Sequence, residues 1–238
     1  TAFAGRNFND IIFIGGNKVG TGYFRNVGNT QRMGTELALN GKLGDKWTWY
    51  GNYSYVRASF ETHQLIASAG HGSNNGVCNG PEEYGGGGDA AAEADQEACE
   101  TKESYQIQVG PGDAIPGLSP HISRMGIGYT PVDGLNLFVD AEYNSRQFYR
   151  GDEDNNDGQK VPGYFLLNAS AEYSVPVSNA NAAGFSTSVF VEGRNLLDTN
   201  FETGGILAEN EVDGTGGGRT FVTPGQPLTI FGGMKFTW

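Results

Sequence analysis

A chain of 238 residues with 38 glycines and 12% aromatics is about twice as glycine-rich as an average protein, has no Gly-X-Y period, and is too aromatic for a disordered chain. Its mean hydropathy of -0.41 and the lack of any run of about 18 apolar residues exclude a helical membrane span, but not a β-barrel, whose lumenal residues dilute the average. The formal charge of -12 argues against nucleic acid as a partner, because phosphate backbones are bound by clustered Lys and Arg.

The chain opens Thr1-Ala2-Phe3 without a Met, so a processed or partial chain is expected, its targeting segment out of view. Period-2 alternation then predicts eight strands, at about 8–14, 23–43, 47–61, 119–130, 135–150, 160–175, 185–199 and 227–238. In the second, Met33, Thr35, Leu37 and Leu39 alternate with Arg32, Glu36, Asn40 and Lys42. The pattern is clearest in the fifth, where Leu135, Leu137, Val139, Ala141 and Tyr143 oppose Asn136, Phe138, Asp140, Glu142, Asn144 and Arg146. Phe165 to Tyr173, Phe185 to Val191 and Leu228 to Trp238 repeat it, and no comparable helical period exists. Several of these strands exceed the roughly 9 to 11 residues that a tilted strand needs to cross a bilayer.

Connections alternate in length. Short turns at 41–46, 131–134 and 176–184 alternate with long excursions at 62–118, 151–159 and 200–226, which places the long loops on one side, as in an outer-membrane barrel. Arg32, Lys42, Arg124, Arg146, Arg194 and Lys235 nearly balance Glu36, Asp140, Glu142, Glu172 and Glu192 on the expected lumenal face. The net acidity therefore lies in the loops, at Glu82, Glu83, Asp89, Glu93, Asp95, Glu97, Glu100, Glu103, Asp152, Glu153, Asp154, Asp157, Glu202, Glu209, Glu211 and Asp213. Bare alternation also fits a soluble β-sandwich. Aromatic placement favours the barrel: Trp47, Trp49, Tyr53, Tyr55, Tyr129, Tyr143, Tyr173 and Trp238 fall on apolar faces, mostly near strand ends, where membrane-interface girdles sit.

Three stretches resemble the TonB-dependent outer-membrane receptors. Tyr23-Phe24-Arg25-Asn26-Val27-Gly28 followed by Gly34-Thr35-Glu36-Leu37 is similar to the family's aromatic-Asn then Gly-x-Glu-Leu strand. Glu192-Gly193-Arg194-Asn195-Leu196-Leu197-Asp198 resembles its penultimate strand, and Pro224 to Trp238 its last, ending on an aromatic. The resemblance implies an all-β fold, an antiparallel transmembrane β-barrel segment with eight strands visible of about 22. On this reading residues 1–238 are the C-terminal part of one barrel, and the plug domain is not in the chain. It implies energised uptake of a scarce ligand such as a ferric siderophore in the bacterial outer membrane, with no cofactor and no enzymatic activity. The implied partners are outer-membrane lipid and lipopolysaccharide, the TonB complex through the missing N-terminal part, and a small ligand such as a metal chelate. Arg32, Glu36, Arg124, Asp140, Glu142, Arg146, Glu172, Glu192 and Arg194 are then expected to face the lumen and dock the plug. Alternatives are a passive porin or small structural barrel, and a soluble β-sandwich adhesin or carbohydrate-binding module.

Candidate sites follow from residue type. Tyr84, Glu93, Asp95, Phe148, Tyr149, Asp152 and Phe201 are the expected ligand contacts in the loops. Cys78 and Cys99 share a Gly-rich polar stretch and are expected to form a disulfide in an oxidising compartment. Trp47, Trp49, Tyr129 and Trp238 are expected at the membrane interface. No metal site is expected. Asp152 to Gly158 lacks the Gly and Glu positions of an EF-hand and reads as a solvated hairpin loop, while the spacings among His63, His71 and Cys78 match no common zinc site. His121 and Ser123 share a strand face but have no third, orienting group for catalysis, and Arg150-Gly151-Asp152 reads as a strand end and turn.

Overall fold

A computed structural model describes residues 1–15, 22–68, 71, 106–175, 186–207 and 220–237. The chain contributes β1 (Ala2–Asn7), β2 (Ile11–Gly15), β3 (Gly22–Asn26), β4 (Thr30–Leu43), β5 (Trp47–Phe60), β6 (Gln64–Ala67), β7 (Gln106–Val109) and β8 (His121–Tyr129). β9 (Leu135–Asn144), β10 (Gln147–Phe148), β11 (Lys160–Val161), β12 (Tyr164–Val175), β13 (Ser186–Arg194), β14 (Glu202–Leu207), β15 (Thr220–Pro224) and β16 (Thr229–Thr237) complete the order. Eight of them form one antiparallel sheet in the order β1-β4-β5-β8-β9-β12-β13-β16, and the other eight pair off as four two-stranded extensions.

Register explains why the alternation is so regular. Leu37 pairs with Tyr53, Trp49 with Ile127, Ile127 with Val139, Val139 with Ala169, Ala171 with Val191 and Val189 with Met234, so one face is apolar across the sheet. Leu39, Ile127, Val139, Val191, Ile230 and Met234 on that face are all more than 45% exposed. A monomeric soluble protein rarely leaves an apolar surface of this extent uncovered, so the face suits hydrocarbon rather than the interior of a sandwich. At the short-turn end, Trp47 stacks on Tyr129 with centroids 4.1 Å apart, and Lys46 Nζ donates to the Pro131 carbonyl at 2.9 Å. This places an aromatic pair beside a cation at the strand end.

Three strand expectations change. The first strand of the sheet is Ala2–Asn7, whereas the expected strand at 8–14 is found as β2, paired with β3 outside the sheet. The expected strand at 23–43 breaks between β3 and β4 because Gly28 takes a φ of 68°, where a side chain would also collide with Thr62. Beyond Asn144 the chain leaves the sheet, and Gln147 and Phe148 pair with Val161 and Lys160 instead. The long excursions 62–118 and 200–226 contain paired strands, β6 with β7 and β14 with β15. The buried core gathers where these hairpins meet β2, β3 and the end of β5: Ile14, Val27, Ala58, Phe60, Ile66, Ile107, Val109 and Ile115 pack together, with Phe60 fully enclosed, and Tyr149, Val161 and Leu207 form a second cluster.

Candidate functional site

The polar face of the sheet is assembled by the same register. Arg32, Glu36, Arg124, Asp140, Glu142, Glu172, Glu192 and Arg194 lie on the face opposite Leu37 and Val139. They are knitted to one another and to amides. Arg124 pairs with Glu142, which also accepts from Asn144 Nδ2 at 2.9 Å, and Asn168 Nδ2 donates to Asp140 at 3.0 Å. Ser188 Oγ donates to Glu172 at 2.6 Å, and Arg194 Nε to Glu192 at 2.6 Å. Arg32 Nη1 reaches Asp10 at 2.9 Å. A wall of compensated charge can hold a polar body against it without the desolvation cost of lone ions. Arg146 is placed differently, beyond the end of β9. It lines an 800 Å³ cavity with Tyr55, His121, Tyr143 and Phe165 of the apolar face and with Arg57, Phe148 and Lys160. Lys160 Nζ sits 3.7 Å from the centre of the Phe148 ring, a cation over an aromatic face.

At the long-loop end, the turn after β10 builds a buried acidic knot. Gly151 has a φ of 99°, which lets the chain fold Asp152, Glu153 and Asp154 back inwards; Asp152 is fully buried and Glu153 is 3% exposed. His71 Nε2 lies 2.9 Å from Asp154 Oδ1 and 3.2 Å from Asp152 Oδ1. Asp152 Oδ1 also accepts from the Asp157 amide at 3.1 Å, and Glu153 Oε1 from the Gly151 amide at 2.9 Å. Asn155, at a φ of 61°, closes the knot by exchanging two hydrogen bonds with the Ala114 backbone, at 2.6 and 3.0 Å. Burial works against the His71 imidazolium, but hydrogen bonds to Asp152 and Asp154 outweigh it and raise its pKa to about 9. Burial pushes Glu153 up to about 7. Tyr149 is pushed up to about 12 by burial and by donating to Glu202 at 3.0 Å.

These positions redraw the loop expectations. Asp152 to Gly158 is not a solvated hairpin: its first two carboxylates are buried, with His71 against Asp152 and the Ser68 hydroxyl donating to the Gly151 carbonyl. Arg150-Gly151-Asp152 is the expected strand end and turn, with Arg150 exposed and bridged to Ile206 while Gly151 and Asp152 are buried. Among the expected ligand contacts, Tyr149 and Asp152 are buried, Phe201 packs on Tyr164 at 4.6 Å, and Phe148 faces the rim cavity. Tyr84, Glu93, Asp95, Cys78, Cys99 and Trp238 lie outside the described residues. His121 Nδ1 meets Tyr53 OH at 2.8 Å. His71 and Asp154 are not linked by any local pattern: the Asp-x-Asp spacing is visible in the sequence, but the histidine lies 81 residues from Asp152.

The eight-stranded antiparallel sheet, with one apolar and one ion-paired face, defines a segment of a β-barrel. The family model "TonB dependent receptor-like, beta-barrel" matches residues 2–196, and the chain belongs to that family, whose members are barrels of the bacterial outer membrane. Among solved structures, the copper transporter OprC is 13% identical with a TM-score of 0.57, covering all of this chain and 28% of its own. BauA, the ferric preacinetobactin receptor of Acinetobacter baumannii, is 14% identical with a TM-score of 0.56, covering all of this chain and 26% of its own. A variant of the Pseudomonas aeruginosa ferric enterobactin receptor PfeA in complex with enterobactin is 16% identical with a TM-score of 0.52, covering 99% of this chain and 28% of its own. The chain thus spans about a quarter of the length of the structures it matches. No curated protein sequence matches it.

Proposed function

We propose that the chain is part of a bacterial outer-membrane receptor that imports a scarce ligand, such as a ferric siderophore, by energised TonB-dependent uptake. The supporting observation is the polar face: β4, β8, β9, β12 and β13 of the eight-stranded sheet place charges of both signs on it, with Arg124 paired to Glu142 and Arg194 to Glu192, rather than an open ring of one sign, in a chain of the TonB-dependent receptor family. Such a surface suits docking of a polar plug better than steering of free ions. Residues 1–238 form the C-terminal part of the barrel on this reading, with 62–118, 151–159 and 200–226 extracellular. Lipid and lipopolysaccharide meet the apolar face, and TonB acts through a plug supplied by other parts of the receptor.

The loops bear on the ligand. Glu93, Asp95, Glu97 and Glu100 crowd one stretch of 62–118, and their field disfavours anions over about 8 Å at physiological salt. A neutral or cationic, metal-bearing or glycan-like ligand fits that field. Uptake of labelled ferric siderophores by cells carrying the intact receptor, with and without functional TonB, tests the reading: uptake should stop without TonB. Uptake that continues unchanged would refute it and identify a passive pore.

A further inference from the structure

The buried knot of the 151–159 turn invites a ligand that neither the fold nor the family accounts for. Its three consecutive carboxylates are nearly enclosed, with side chains of Asp152 and Asp154 exposed by 0% and 10%. Among the described residues, their one ion-pair partner is His71, and no Lys or Arg joins them. Burying carboxylates costs several kcal/mol each unless charge compensates them. Three carboxyl groups thus share a single imidazole. The remaining imbalance is written in the atoms: Asp152 Oδ2 and Glu153 Oε2 are buried and accept no hydrogen bond. Native proteins leave few such groups, and each asks for a missing donor or ion.

We propose that His71, Asp152 and Asp154 bind a divalent transition-metal ion of the zinc type, which clips the segment carrying His71 to the 151–159 turn. One ligand atom from each residue lies within 4.8 Å of the other two. Two ligands that share an ion at about 2.0 to 2.2 Å stand roughly 3.0 to 3.5 Å apart; the His71–Asp152 distance of 3.2 Å lies in that range, and the His71–Asp154 distance of 2.9 Å needs only a slight opening. The orphaned Asp152 Oδ2 belongs to the same carboxylate as the oxygen facing His71, so a small rotation about its side chain offers the ion either oxygen. Donor chemistry selects the metal. An imidazole nitrogen with two carboxylates suits zinc and its neighbours, whereas calcium and magnesium prefer oxygen alone. Glu153, whose Oε1 is held by the Gly151 amide, would support the site from behind. The inference stands on these side chains and does not depend on the transport reading.

Zinc added to the intact receptor folded in lipid, followed by calorimetry, should reveal a zinc site that depends on the knot. Asp154→Asn and His71→Asn should each weaken zinc binding by about 100-fold or more. His63→Asn, outside the knot, should leave it unchanged. X-ray absorption of the zinc-loaded chain should show one imidazole and oxygen neighbours, a readout that needs no variant to fold. Equal zinc affinity in all three variants, sulfur in the first shell, or calcium displacing zinc at comparable concentration would each overturn the proposal.

Discussion

Exchanging one residue for its neighbour on β9 tests the assignment of faces directly. Val139 lies near the middle of the strand, 47% exposed, and pairs with Ile127 and Ala169 on the apolar face. No carboxylate lies directly across from it, so an arginine there would meet hydrocarbon, at a cost of about 2 to 4 kcal/mol near mid-membrane. Asp140 is on the other face, between Gly126 and Asn168, and accepts one hydrogen bond from Asn168. Asp140→Arg loses that bond, worth about 1 kcal/mol, and places its guanidinium among acids such as Glu142. Val139→Arg should therefore be the worse by about 1 to 3 kcal/mol, a factor of about 5 to 150 in the folding equilibrium. Urea titration of both variants in lipid vesicles, monitored by tryptophan fluorescence, measures the gap. If Asp140→Arg proves equally or more damaging, the inner and outer faces are reversed.

The acidic knot should loosen with rising pH when a chelator keeps metal away. Glu153 and His71 both hold protons in the fold that the opened segment releases: the contribution of Glu153 is complete below 4.5 and lost as pH rises through about 7, and that of His71 is complete below 6.5 and lost as pH rises through about 9. Exchange of the Gly151 and Asp157 amides, corrected for intrinsic rates, should show protection falling by on the order of 3 kcal/mol across that window, and a flat profile would refute it. Phe60→Ala removes the fully enclosed ring of the loop-stem core and should destabilise the stems by about 3 to 5 kcal/mol, seen as faster proteolysis near β6 and β7. Unchanged cleavage would show that the stems do not depend on this core. Cys78 and Cys99 should form a disulfide that closes a loop of about 20 residues, worth roughly 3 kcal/mol, and intact mass with and without reductant decides it.

The sheet was legible because each of its strands contrasts two faces. β9 could be read residue by residue, since every partner of Val139 and Asp140 keeps the same alternation. β1 lacked that contrast: Ala2, Ala4 and Gly5 are too small to mark a face. Strand ends were read too far because Gln147 and Phe148 continue the alternation after Asn144 while bonding to a different hairpin. The penultimate-strand motif was visible as a motif but not as a device. Asn195, at a φ of 52°, receives the Thr199 amide and donates to the Thr199 and Gln226 carbonyls, while Asp198 accepts from Leu228, so the motif ties the end of β13 to the start of β16. Burial in the loops escaped the sequence for a different reason. Phe60, Ile66, Ile107 and Ile115 meet only after the stems pair, and nothing local links His71 to Asp152.

Because each long strand bonds to the long strands before and after it in the chain, the sheet can be assembled like a scroll, one hairpin at a time against a ready edge. Closing each step costs little chain entropy where the connection is short, as between β4 and β5. The two-sided pattern also proofreads the process. A strand that docks one residue out of register turns its whole charged row towards lipid and its apolar row towards the polar wall, so the mistake is expelled before the next strand can seal it in.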